Sequence, residues 1–144
     1  MTDPRLALFL DRSTQGRRFV EAVRALVDDV ETIADRYGRL AAQDISDTQW
    51  IAEATAAGRI LVGADRRILL NPLERRAVCR HKARYVVFGT NNLRVPDMVA
   101  LFATSLPPIR AHASEPGPLV LRIARHGVER LPLRCDDVRG TPNA

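Results

Sequence analysis

Three aspartates in this chain are spaced so that they could do chemistry together: Asp11, Asp47 and Asp65. Asp11 closes the apolar run Leu6–Leu10 and is followed by Arg12. Asp65 closes the run Ile60–Ala64 and is followed by Arg66 and Arg67. Short continuous apolar runs of this kind read as strands covered on both faces. Open α/β sheets bind ligands at the carboxyl ends of such strands. Asp47 stands at a helix start that leads into the second strand. A helix of about ten residues is roughly 15 Å long, comparable to a strand, so its N-terminus returns to the same sheet edge. Two unit charges 4 Å apart repel by about 4 kcal/mol at an effective dielectric near 20. A converging trio therefore needs a raised pKa, neighbouring arginines or a divalent cation. An all-carboxylate site selects a hard cation, Mg2+ or Mn2+, which can activate water and clamp a phosphodiester. Arg12, Arg66 and Arg67 stand beside the acids as candidate phosphate contacts. Each aspartate taken alone also reads as ordinary loop or helix-start chemistry; the joint pattern is what points to a site.

The elements that must position these acids follow in chain order. After the first strand, Phe19, Val20, Val23, Leu26 and Val27 recur at helical spacing and predict a helix near 16–27. Val30–Ile33 reads as a weaker strand, and 34–43 as loop or a short frayed helix. Ser46 with Gln49 has the form of a capping box opening a helix whose Trp50, Ile51 and Ala54 face the core; Gly58 stops it. A helical turn follows Asp65. Asn71-Pro72-Leu73-Glu74 then starts a helix to about Lys82, with Glu74 as the capping partner of Asn71. Tyr85–Phe88 is a fourth strand, closed by Gly89–Asn92. Pro96 opens a helix with Val99, Phe102 and Leu106 on one face, and Pro107-Pro108 ends it. Pro118–Ala124 and Val128–Leu133 flank His126-Gly127 as an accessory hairpin. From about Cys135 the tail is polar and frayed. Strand and helix alternate through four strands, so a parallel sheet with right-handed crossovers is expected. Residues 1–110 form the α/β domain, and 111–144 a hairpin extension and tail packed on it. Other acids have quieter readings: Asp44 is a capping or loop residue or a fourth ligand, Glu21 faces the site or water, and Asp97 is a first-turn acid.

Composition bounds the partners. With 144 residues, 46% hydrophobic, the chain holds one domain with a real core. Basic residues outnumber acidic ones 22 to 17, for a net charge of +5, and Lys82 is the single lysine. Basic groups that are otherwise all arginine fit a phosphate-rich partner as well as they fit codon bias. Cys79 and Cys135 form no framework and no zinc spacing, and a reducing, cytoplasmic setting is expected. His81, His112 and His126 are scattered. No apolar stretch approaches membrane-spanning length and no signal pattern opens the chain.

At Phe9-Leu10-Asp11-Arg12, Asp47-Thr48-Gln49-Trp50-Ile51 and Val62-Gly63-Ala64-Asp65-Arg66-Arg67-Ile68, with the Asn71–Glu74 step after them, the chain resembles the PIN-like ribonucleases of VapC-type toxin–antitoxin systems. The resemblance covers about residues 6–90. It implies a three-layer α/β/α fold, Mg2+- or Mn2+-dependent RNA hydrolysis with Asp11, Asp47 and Asp65 as the metal-holding acids, a small antitoxin that blocks the site, and a homodimer. Many relatives carry threonine at the position of Gly63, whose hydroxyl orients the last carboxylate. The early-helix glutamate of standard members has only Glu21 as its candidate here. A non-catalytic RNA- or protein-binding module is the competing reading. A phospho-receiver is a third, but it needs a lysine after the last parallel strand, and Lys82 precedes that strand.

Overall fold

The computed structural model describes residues 5–64, 66–90 and 92–135, with backbone only at 66 and 68. Six strands form one sheet in the order β2-β1-β3-β4-β5-β6. They are β1 (Ala7–Leu10), β2 (Asp29–Thr32), β3 (Ile60–Gly63), β4 (Arg84–Phe88), β5 (Leu119–Ala124) and β6 (Gly127–Leu131). Pairing is parallel from β2 through β5 and antiparallel between β5 and β6. Five helices cover the sheet: α1 (Arg17–Leu26), α2 (Ile33–Tyr37), α3 (Asp47–Ala56), α4 (Pro72–His81) and α5 (Val95–His112).

Side-chain alternation along each strand divides the core between the two faces of the sheet. Leu8, Leu10, Ile60, Val62, Val86, Phe88, Leu121 and Ile123 meet Phe19, Val20 and Val23 of α1 and Phe102, Leu106 and Ile109 of α5. Phe9, Leu61, Tyr85, Val87 and Val120 meet Trp50, Ile51 and Ala54 of α3 and Ala77 and Val78 of α4. The strands are continuous apolar runs because both faces are covered, giving the expected three-layer α/β/α arrangement. No helix among the described residues is long and apolar enough to cross a membrane.

Several elements differ from expectation for local reasons. Residues 33–37 form a helix because Thr32 and Asp35 make a reciprocal capping box. Ser46 caps α3 through its hydroxyl, which accepts from the Gln49 amide at 3.2 Å. The Gln49 side chain does not reciprocate; it turns to Glu53. Helix α5 does not end at Pro107-Pro108 but runs through them to His112. An interior proline costs about 3 kcal/mol, but each buried aliphatic side chain contributes about 1.5–3 kcal/mol. Leu106, Ile109 and Ala113 all stay buried along this stretch. The C-terminal hairpin is present, with its turn at Arg125-His126. Its first strand pairs with β4, so the hairpin completes the central sheet.

The cysteines correct the sequence reading. Cys79 of α4 and Cys135, just beyond β6, are joined in a disulfide with Cα atoms 5.7 Å apart. Their 56-residue separation hid a proximity created by the sheet order, which brings the end of β6 back across α4. The polar tail expected after Cys135 lies outside the described residues. Closing a loop this long restricts the unfolded chain by about 4 kcal/mol in the chain-entropy model. Cys135→Ser, or reduction with a phosphine, should lower the thermal midpoint by roughly 10 °C. Calorimetry of the oxidised and reduced protein checks this.

Candidate functional site

Strand β1 ends at Asp11, a buried carboxylate that caps a short 3-10 turn over Arg12–Thr14. Its Oδ1 accepts from the Ser13 amide at 2.8 Å, the Ser13 hydroxyl at 2.5 Å and the Thr14 hydroxyl at 3.4 Å. Its Oδ2 accepts from the Tyr85 hydroxyl at 2.8 Å. The same turn is stitched to the end of β3. The Asp11 amide and the Thr14 hydroxyl donate to the Val62 carbonyl at 3.0 Å, and the Ala64 amide donates to Ser13 Oγ at 2.8 Å. Burial pushes the Asp11 carboxyl above the usual aspartate range, against the lowering effect of the hydrogen bonds from Ser13, Tyr85 and Thr14.

Gly63 makes this cradle possible. A Cβ there would collide with Asp11 Oδ2 and lie 2.9 Å from the Tyr85 hydroxyl. The hydroxyl lost when glycine occupies this position is absent from β3. The hydroxyl that crosses this point, from Tyr85 on the neighbouring strand β4, goes to Asp11.

Asp47 opens α3. Its Oδ1 accepts from Trp50 Nε1 at 2.8 Å and from Arg12 Nη1 at 3.1 Å. The Asp-x-x-Trp spacing places both side chains on one helix face, so the indole stays buried while its N–H holds the acid. Trp50 stacks on Phe9 with ring centroids 5.4 Å apart and meets Tyr85 edge-on at 6.2 Å. Arg12, expected as a phosphate contact, makes its described bonds within the protein. Its guanidinium is spent on Asp47 and on the carbonyls of Ala42 and Ile45, so it fixes the loop ahead of α3 and orients Asp47.

Glu74, in the first turn of α4, completes the cleft. Asn71 caps that helix by accepting from the Leu73 amide at 2.9 Å, so the expected capping partnership with Glu74 is replaced by a bond one residue earlier. Burial raises the Glu74 carboxyl pKa, and the neighbouring Asp47 carboxyl raises it further, while its own amide lowers it. Its Oε2 is buried with no hydrogen-bond partner among the described residues. Asp11, Ser13, Asp47, Trp50, Asn71 and Glu74 thus line one cavity of about 530 Å³ at the carboxyl edge of the sheet, with Arg67 on its wall.

Of the expected site residues, Asp11 and Asp47 come together in this cleft. Asp65 lies outside the described residues, as does the Arg66 side chain. Among the described residues, no group of three acidic, histidine or cysteine side chains is placed to hold a metal ion. The oxygen-only donor set and the orphaned Glu74 Oε2 nevertheless fit a hard cation in kind. Asp44 does not line the cleft, and Glu21 is ion-paired with Arg17 on the surface. Tyr85, Ser13 and Thr14, which bond Asp11, are not among the residues expected from the sequence. The Asp-x-Ser spacing of an Asx turn was the available signal for Ser13; nothing local signalled Tyr85.

A family model described as a PIN like domain matches residues 6–90. The chain belongs to the PIN-like domain family. It is 29% identical over 116 residues, 81% of this chain and 84% of the other, to a protein of Mycobacterium tuberculosis (strain ATCC 25618 / H37Rv) named "Putative ribonuclease VapC45". No solved structure gives a significant match.

Two predictions follow from the cradle geometry. Gly63→Ala should cost about 1–3 kcal/mol by overpacking. Tyr85→Phe should cost a similar amount by leaving Asp11 Oδ2 without its donor. A denaturant double-mutant cycle should show coupling between them, because removing the hydroxyl relieves one of the contacts. The second concerns pH. A carboxyl whose pKa is raised on folding contributes favourably below the unfolded value and loses that contribution as pH rises through the folded value. Asp11→Asn should therefore raise the metal-free thermal midpoint at neutral pH, with the gain vanishing below the ordinary aspartate pKa. Melting curves across pH check the sign.

Proposed function

We propose that this chain is a Mg2+- or Mn2+-dependent endoribonuclease and the toxin of a toxin–antitoxin pair. One observation supports this reading above the others: Asp11 and the Asp47–Glu74 pair share a single cleft at the carboxyl edge of the sheet, with a buried Glu74 oxygen lacking a partner among the described residues. The name of its mycobacterial relative points the same way. Asp11, Asp47 and Asp65 are the residues proposed to hold the cation, with Glu74 of the same cleft as a further proposed ligand. The chemistry supplied by Mg2+ or Mn2+ when bound is water activation and neutralisation of charge on the scissile phosphodiester.

The chain's own residues do the positioning. Ser13, Thr14 and Tyr85 fix both oxygens of Asp11, and Trp50 and Arg12 fix Asp47 Oδ1. A preorganised set of acids costs no reorganisation when substrate arrives. Arg67, exposed on the cleft wall, is proposed to bind an RNA phosphate, and Arg66 beside it in sequence shares that proposed role. A small antitoxin covering this cleft, and a homodimer, are proposed by analogy with the family.

A non-catalytic binding module draws on one specific observation. Asp11 Oδ1 already accepts from both the amide and the hydroxyl of Ser13, which leaves mainly Oδ2 for a cation. Titration calorimetry with Mn2+ separates the two readings: binding heat and thermal stabilisation are expected for the nuclease. Asp47→Asn and Glu74→Gln should each lower Mn2+-dependent cleavage of single-stranded RNA by roughly a hundredfold or more, and chelation should abolish it. Undiminished cleavage by both purified variants would overturn the assignment.

A further inference from the structure

The acid cleft is the first of three adjoining cavities. A second, of about 420 Å³, shares Ser13 and Arg67 with it and is further lined by Ala64, Phe88, Asn92 and Met98. A third, of about 250 Å³, shares Thr90 and Leu93 with the second and ends at Asp97, Thr104 and Arg125. Together they follow the carboxyl ends of the parallel strands from β1 past β3 and β4 to β5. Adjacent strands lie about 4.8 Å apart, so three steps from β1 to β5 span roughly 14 Å. Register lengthens this path. Leu10, Val62, Val86 and Leu121 are level across the sheet, which sets Asp11 level with Arg122 and puts Arg125 further along the strand axis. A mononucleotide at the acids cannot bridge this distance; a short oligonucleotide can.

Arg125 is the arginine that lines the third cavity. Arg12, Arg24, Arg36, Arg59, Arg122 and Arg130 all pair with carboxylates of the chain. Arg125 is exposed and has no hydrogen bond or ion pair with any described residue. It sits in the tight turn between β5 and β6. The Arg122–Glu129 pair braces this hairpin from behind. The turn therefore presents a cation whose charge the protein does not neutralise. The middle cavity combines apolar Leu93 and Met98 with polar Thr90 and Asn92. It falls within the size range of small-ligand sites, about 300–1,000 Å³. This mixture suits an unstacked base, which a duplex does not expose.

We propose that the three cavities form one track for single-stranded RNA, with Arg125 gripping a phosphate remote from the scissile bond and the middle cavity taking a base. The proposal rests on the nuclease reading for its substrate class, and it makes Arg125 an affinity determinant for oligonucleotides, remote from the reacting atoms. The test compares Arg125→Ala and Arg125→Glu with the wild-type chain. Arg125 is exposed, so thermal midpoints should not change. Binding of a fluorescent single-stranded oligoribonucleotide, measured by anisotropy in chelator, should weaken roughly fivefold for the alanine variant and more for the glutamate variant. The log–log salt slope should fall by about 0.7, the value for one single-strand phosphate contact. In Mn2+, KM for the oligonucleotide should rise while kcat/KM for a dinucleotide stays unchanged.

Unaltered oligonucleotide binding and salt slope in both variants would overturn the track. So would equal losses on dinucleotide and oligonucleotide. Binding that depends on Arg125 without any cleavage by the wild-type chain would leave the track standing and remove the nuclease reading. Cleavage indifferent to Arg125 would do the reverse.

Discussion

The site depends on two aromatic side chains that are buried in the core and reach polar atoms into the acids. Trp50 and Tyr85 meet edge-on beneath the cleft, and Phe9 stacks on Trp50. The indole N–H holds Asp47, and the phenol O–H holds Asp11. A carboxylate on a loose loop would sample many rotamers; each of these is tied to a ring that packing immobilises. The same contacts that build the layer between the sheet and α3 therefore set the geometry of the acids. Stability and site geometry are coupled here through a few shared atoms.

That coupling has an electrostatic side. Burial raises the pKa of Asp11, and burial with a neighbouring carboxyl raises that of Glu74. The fold accepts unfavourable charge at one edge of the sheet and offsets part of it with hydroxyls, an amide and the indole N–H. Arg12 adds a cation bonded directly to Asp47. Its remaining donors go to backbone carbonyls that shape the entry to α3. Functional sites commonly concentrate such perturbed groups.

Much of this was readable from residue order. The apolar runs at Leu6–Leu10 and Ile60–Gly63 are strands because both faces are buried, and periodicity registers that directly. The Asp-x-x-Trp spacing placed Asp47 at a helix start. Other features depend on non-local contacts that no window of sequence contains. Tyr85 is separated from Asp11 by 74 residues, and it reaches the acid only because β3 lies between β1 and β4 and carries a glycine at the crossing point. Glu74 read as a capping residue because its partner Asp47 is on another helix. Pro107-Pro108 read as a stop because local propensity cannot weigh the buried side chains that follow them. The disulfide was invisible for the same reason as Tyr85: spacing along the chain says little about spacing across a sheet.

The Cys79–Cys135 bond turns the segment from the end of α4 to the end of β6 into a covalent ring. That ring contains β4, α5 and the terminal hairpin, and so both Tyr85 and Arg125. A protease nicking the loop between α5 and β5 would leave the two fragments tethered, unable to diffuse apart while the bridge is intact. The last turn of the helix that supplies Glu74 and the turn that bears Arg125 thereby belong to one looped segment. Their mutual position is tied through sulfur as well as through the sheet.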